Sequence, residues 1–490
     1  MAFPRTVAAA APALSLRRRF GRALVVAAGL LGVVALGGCD STPKGQPPAP
    51  AASGTAAQDE LPPRVVVLGL DAGTWDLLGP WMDQGLLPNL AKIRADGVHG
   101  PLQSTQPSSS PVIWTSIATG KVPDKTGITW FVRFPNGQGK PVPVDRRQRK
   151  TKALWNILGE QRVDVAVLGW YVTWPAEQVN GRLLTDLAHF GNMASLAWPD
   201  GFLVDLPPVP ESEGVAAMPR FMDFAYDAKK AVRPPEGQVP SLDFLVYDRF
   251  LRAYERDLYY LEAADRTLAD GPLPDAFFLY LRGTDDVQHG FWKFMDPAAF
   301  APRPGPDGKP LGGTTAVPDE QVKAFGKVIQ RYWQWIDEGV GRVLAHYAKS
   351  RPVVIVCSDH GAGPAVGEFA VDVPEYLHLS GAHRSRGIFL ASGPGIRRSG
   401  AGGPSGIEVE GATIYDIAPT VLHVLGLPEA RDMDGKVLKD IFTEPLASRP
   451  DKVVDTYDTG GQAAAPSPDL PSDVDEKMLE HLRSLGYIDQ

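Results

Sequence analysis

Three groups of side chains able to bind cations or move protons stand just after apolar runs of this chain. Asp71 follows Val65 to Leu70, Thr284-Asp285-Asp286-Val287-Gln288-His289 comes after Phe277 to Leu281, and Ser358-Asp359-His360-Gly361 comes after Val353 to Val356. Carboxylates and imidazoles together are natural ligands for zinc or a similar divalent ion. A single Asp after a strand often only caps a helix, but three such groups on separate strand ends call for a common explanation. A fourth segment, Ser108-Ser109-Ser110-Pro111-Val112-Ile113-Trp114-Thr115-Ser116, offers a nucleophile. It reads as a helix start, with Ser110 at the N-cap and Pro111 at the first helical position. In one reading Ser110 serves there purely as a cap. In the functional alternative its hydroxyl faces the positive end of the helix, where free N–H groups hold phosphate oxygens, and a divalent cation beside it would let it lose its proton near neutral pH.

The elements that must position these groups follow from the hydrophobic pattern. Val65 to Leu70 is continuously apolar, as expected of a strand covered on both faces. Similar runs recur at Val165 to Leu168, Phe277 to Leu281, Val353 to Val356 and Ile388 to Ala391, with helix-period segments such as Pro88 to Asp96, Gln321 to Lys349 and Tyr415 to Leu425 between several of them. Strands alternating with helices predict an α/β fold with a mostly parallel central sheet flanked by helices. Ligands of open α/β sheets bind beyond the carboxyl ends of the strands, so the acids and imidazoles should share one crevice.

These residues carry a resemblance. Gly-Leu-Asp71, Ser110-Pro-Val-Ile-Trp-Thr-Ser-Ile-Ala-Thr-Gly120, Pro123-Asp-Lys-Thr-Gly-Ile128, Asp285-x-x-x-His289, Asp359-His360-Gly361 and Gly381-Ala-His383 together resemble the alkaline phosphatase superfamily, and within it the type I phosphodiesterase and nucleotide pyrophosphatase branch, from about Val65 to about Phe442. The resemblance implies a hydrolase of phosphodiester or pyrophosphate bonds with two divalent ions, zinc or alternatively manganese. It implies that Asp285, His289 and His383 hold one ion, that Asp71, Asp359 and His360 hold the other, and that Ser110 is both a ligand of the second ion and the nucleophile of a phospho-seryl intermediate. The other six histidines, His99, His189, His346, His378, His423 and His481, are assigned to surface or capping use. Where nucleotide pyrophosphatases place an Asn for a phosphoryl oxygen, this chain has Phe131. The stretch from about 129 to 276 reads as an inserted cap shaping a pocket, with Trp130 and Trp170 expected beside the site. A phosphotransferase, phosphomonoesterase or phosphonate hydrolase would keep the same seven residues. A sulfatase would need a Cys or Ser in a C/S-x-P-x-R motif, and neither cysteine lies in one. A non-catalytic binding protein on this scaffold predicts lost ligands, and none is lost.

Composition sets the remaining bounds. The 490 residues are 44% hydrophobic and 22% charged, enough for one large core or two ordinary ones. The formal charge is −8, from 49 basic and 57 acidic residues; without Arg5, Arg17, Arg18, Arg19 and Arg22 it becomes 44 − 57 = −13. So acidic a remainder offers no surface for nucleic-acid backbones. Two cysteines, Cys39 and Cys357, exclude a disulfide scaffold. Residues 1–38 read as a signal peptide: arginines precede the apolar Ala23 to Leu36, too short for a membrane span. Leu36-Gly37-Gly38-Cys39 resembles the bacterial lipobox, which implies a lipid on Cys39 and an exported, membrane-anchored protein of the cell envelope. Residues 39–63 read as a flexible tether, residues 64–445 as the catalytic domain, and residues 446–490 as a linker ending in a short helix, Asp473 to Leu485, expected to dock on the parent domain. Cys357 reads as a buried core thiol, and no protein partner is identifiable.

Overall fold

A strand buried on both faces must find cover for alternate side chains on opposite sides, and β1 (Val65–Leu70) does so. Val66, Leu68 and Leu70 enter one apolar cluster and Val65 and Val67 another. The computed structural model of the protein describes residues 64–134, 139–191, 193–235, 238–301, 303–304, 310–311, 316–369, 379–399, 406–459 and 472–484. All belong to one unit, Asp59–Gln490. The leader, the tether and Cys39 lie outside the described residues, as does His378. Among the described residues no helix is long and apolar enough to cross a membrane.

The fold is α/β. Its main sheet contains β1, β2 (Gly97–Gln103), β3 (Val165–Leu168), β4 (Gly181–Leu184), β5 (Ala197–Trp198), β6 (Ala276–Leu281), β7 (Val353–Cys357), β8 (Arg386–Ser392), β9 (Ile407–Glu408) and β10 (Ala412–Thr413). Their order is β9-β2-β8-β7-β1-β6-β3-β4-β5, with β10 also beside β2. From β7 through β1, β6 and β3 to β4 every pairing is parallel, whereas β8 runs antiparallel to both β7 and β2. One face is covered by α2 (Arg252–Ala269), α3 (Gly283–Met295) and α4 (Val328–His346), and the other by α1 (Ser110–Thr119) and α5 (Ile417–Val424).

The stretch read as an inserted cap is in large part sheet scaffold, because β3, β4, β5 and the core helix α2 lie within it. The C-terminal helix α6 (Ser472–Ser484) docks as expected. Its Leu479 and Leu482 are buried against Phe131 and Val132, and its Val474 against Trp174 and Leu187. Cys357 is fully buried, and burial pushes its thiol well above the ordinary range.

Candidate active site

Parallel register brings the first acids together. Gly69 pairs with Cys357 and Leu70 with Leu281, so Asp71, the start of α3 and Asp359 leave the sheet at one level. His383 reaches the same edge by another route, on the strand Gly381–Arg384 that leads into the antiparallel β8. Gly69 is needed for close approach: a Cβ there would lie 2.6 Å from the Trp114 ring. That closeness lets Trp114 Nε1 donate to Asp71 Oδ2 at 3.2 Å, beside a second hydrogen bond from the Tyr280 hydroxyl.

Two overlapping clusters result, Asp71–Asp359–His360 and Asp285–His360–His383, each with its ligand atoms within 4.8 Å of one another. His360 Nε2 lies 3.6 Å from Asp71 Oδ1 and 3.3 Å from Asp359 Oδ2. Asp71 Oδ1, Asp359 Oδ2 and His360 Nε2 are all buried without a hydrogen-bond partner. Buried polar atoms are normally satisfied, and three orphans facing one another are what a cation would satisfy. His289 stands beside the second cluster: Asp285 Oδ1 lies 3.2 Å from His289 Nε2 and 3.5 Å from His383 Nε2, with the two nitrogens 3.0 Å apart. Carbonyl oxygens meet Nδ1 of all three rings: Gly381 O at His289 (2.8 Å), Ser108 O at His383 (3.0 Å) and Gly361 O at His360 (3.0 Å). A carbonyl can only accept, so Nδ1 carries the proton and Nε2 keeps a lone pair for a metal. The donor set therefore fits divalent metal ions.

Ser110 opens α1 and is buried. It is bracketed by bonds to both clusters, since Ser108 accepts from His383 and Trp114 donates to Asp71. The N-cap is Ser109 rather than Ser110: Ser109 O accepts from Ile113 N at 3.0 Å, which starts the helix one residue earlier than expected, and no side chain caps it. The hydroxyl of Ser110 is thus not spent on capping.

The sequence profile described as type I phosphodiesterase/nucleotide pyrophosphatase matches residues 65–413. The chain belongs to this family. Over shorter stretches it is similar to 2,3-bisphosphoglycerate-independent phosphoglycerate mutases. It is 36% identical over 107 residues to that of Synechocystis sp. and 33% identical over 103 residues to that of Roseobacter denitrificans. Each match covers 21% of this chain and 19% and 18% of those proteins respectively, so the chain spans about a fifth of their length. Among solved structures it is similar to phosphonoacetate hydrolase from Sinorhizobium meliloti, at 19% identity and a TM-score of 0.39 over 62% of this chain and 57% of that one. Human ectonucleotide pyrophosphatase/phosphodiesterase 5 is similar at 14% identity and a TM-score of 0.43, over 78% of this chain and all of that one (100%).

In this phosphodiesterase-family chain the expected pocket aromatics separate. Trp170 is buried core: its ring packs edge-on against Trp114 and its N–H donates to Trp114 O at 3.1 Å. It therefore backs the ring that tethers Asp71 and is closed off from the surface. Trp130 is exposed and rests edge-on against Phe131, 5.6 Å between centroids. Phe131 is buried under α6 and lines a cavity near the site. His423, expected at the surface or in a capping role, is buried with Nε2 at 2.9 Å from Leu446 O.

Three positioning residues escaped the sequence reading. Trp114 and Tyr280 orient Asp71, and the first could have been suspected from its place four residues after Ser110. The third is Asp257 on α2, which accepts from Gly283 N at 2.9 Å and Arg282 N at 3.2 Å, and so fixes the start of the helix that carries Asp285 and His289.

Electrostatics fit the same picture. Burial, then the charge of Asp285, pushes Asp71 up to about 6, and burial with Asp71 beside it pushes Asp359 well above the ordinary carboxyl range. Burial opposes the charge of Asp285 too, but the facing His289 and His383 outweigh it and hold that carboxyl well below its ordinary value. Burial brings His360 and His383 down to about 4, so both are neutral ligands near neutral pH. Two crowded buried carboxylates are costly alone and are relieved by a cation.

Proposed function

We propose that this chain hydrolyses phosphodiester or pyrophosphate bonds through Ser110, at a site built for two divalent ions, zinc or alternatively manganese. The observation that carries the reading is the trio of orphaned buried atoms, Asp71 Oδ1, Asp359 Oδ2 and His360 Nε2, beside a second cluster that shares His360. Asp71, Asp359 and His360, with Ser110, would hold one ion, and Asp285, His289 and His383 the other. Bound ions would supply charge neutralisation on the transferring phosphoryl group and a lowered pKa for the serine hydroxyl. The chain's own part is positional. Trp114 and Tyr280 fix Asp71, the Nδ1 contacts fix the three imidazoles, and α1 presents Ser110 Oγ for in-line attack on phosphorus: the Oγ–P bond would form as the P–O bond to the leaving alcohol or phosphate breaks, and water would then cleave the phospho-serine, releasing the phosphoryl product and restoring the hydroxyl.

Metal analysis tests this reading. The wild type supplied with zinc should carry about two ions per chain, and His289→Ala and His360→Ala should each carry fewer. A zinc-supplied wild type without bound divalent ion would refute it. A second reading, transfer of the phosphoryl group to an acceptor hydroxyl, draws on the stretch shared with phosphoglycerate mutases. Product analysis separates the two, since hydrolysis places the group on water. We further propose that Cys39 carries a lipid and that residues 39–63 tether the exported domain to a membrane of the cell envelope, on the strength of Leu36-Gly37-Gly38-Cys39 after a short apolar run.

A further inference from the structure

A cavity of about 470 Å³ opens beside the metal-ligand cluster. Its wall includes Tyr280, which donates to Asp71, and Arg282, whose charge acts on Asp71. Arg252 and Arg256 line it from α2, and Lys477 lines it from α6 on the opposite side. The lining thus holds four cations and three acids, Asp186, Glu255 and Glu480, and outside the lining Asp248 lies 3.9 Å from Arg252 while Asp286 lies 2.6 Å from Arg256 and 3.8 Å from Arg282.

Each acid is already engaged or partly neutral. Asp186 accepts from the backbone N–H groups of Val172, Thr173 and Trp174, and Glu480 lies 3.5 Å from Arg233. Burial and then the nearby Glu211 push Glu255 up to about 7. The cations are pre-arranged: Arg256 is 2.6 Å from Asp286, Arg282 lies 5.6 Å from the centre of the Tyr171 ring, and Arg252 lies 4.9 Å from that of Tyr247. Between them the lining is apolar and aromatic, with Phe131, Leu187 and Met478. A cavity of this size, apolar with a few convergent charges, is typical of a small-molecule site.

We propose that this cavity is a second substrate subsite, taking an additional anionic group carried on an apolar or aromatic spacer from the scissile phosphoryl group, with α6 as its outer wall. The inference rests on the hydrolytic reading for the position of the scissile group. Guanidinium groups held in place by neighbours bind carboxylate or phosphate with little loss of freedom. Lys477 and Met478 make the C-terminal helix a determinant of which substrates fit.

The test is an equilibrium titration of zinc-loaded full-length Ser110→Ala protein with bis-(para-nitrophenyl) phosphate and with para-carboxyphenyl para-nitrophenyl phosphate. The two diesters share a para-nitrophenyl leaving group and differ at the other ring, where a carboxylate replaces a nitro group. The carboxylated ester should bind roughly tenfold tighter, as one charge-assisted hydrogen bond provides. Adding Arg252→Gln should abolish the preference, and adding Lys477→Gln, an exposed position on α6, should reduce it. Equal binding of the two esters, or a preference that survives both substitutions, overturns the subsite. Wild-type turnover of the same esters judges the hydrolytic reading separately. A binding preference without turnover refutes hydrolysis and leaves the subsite standing, whereas turnover without a preference refutes the subsite alone.

Discussion

Asp71 shows how a functional side chain is held against its own preference. It is fully buried beside the charge of Asp285, and the two effects together outweigh the hydrogen bond from Tyr280, so it holds a proton up to about pH 6 when no cation is bound. Its folded pKa is raised above the unfolded value of 3.8, so the stability it contributes is present below 3.8 and is lost as pH rises through about 6. Asp71→Asn should therefore raise the melting temperature of the metal-free protein at neutral pH while removing one ion per chain. A metal-free variant less stable than the wild type at that pH would contradict this. The same proton competes with a cation, so the wild type's apparent zinc affinity should fall as pH drops below about 6, with proton release on binding. Calorimetric titrations at several pH values check this; affinity flat between pH 8 and 5 would be the contrary result.

At the scale of elements, the helix that carries Asp285 and His289 depends on how its first turn is seated. Asp257 caps it, and Gly283 leaves room for that cap: a Cβ at Gly283 would lie 1.9 Å from the Tyr332 hydroxyl and 2.6 Å from Asp257 Oδ2. Gly283→Ala should cost about 1–3 kcal/mol through overpacking and weaken zinc binding by shifting Asp285. Thermal unfolding with a zinc titration would show both, and an unchanged affinity would show that the seat of the helix does not govern the ligands. The strand ends were legible in the sequence because β1, β6 and β7 are parallel, so each apolar run pointed its trailing acids to one edge. His383 was not legible that way, since it precedes an antiparallel strand, and only the family resemblance brought it in. Trp170 misled because an aromatic in a Pro-rich stretch looks the same whether it lines a pocket or packs beneath one, as this one does on Trp114 and Phe278. The start of α1 was misplaced by one residue because Ser108, Ser109 and Ser110 are chemically alike and only the backbone hydrogen bonds distinguish the cap.

At the scale of the whole molecule, residues 1–38 are proposed to act as a leader ahead of an acidic domain. If Cys39 is lipidated, the full chain should partition with membranes and Cys39→Ala should be released or stall in processing. Wild-type protein found soluble, with cleavage elsewhere, would contradict the anchor without touching the chemistry. The proposed chemistry converges on Ser110, the hydroxyl bracketed by the contacts Ser108–His383 and Trp114–Asp71. The decisive measurement is turnover of bis-(para-nitrophenyl) phosphate by zinc-loaded wild type and by Ser110→Ala, with metal content and melting temperature recorded for both. The wild type should turn over the diester, and Ser110→Ala should lose turnover with metals and fold retained. A Ser110→Ala enzyme that keeps its metals and still turns over the diester at the wild-type rate would contradict this.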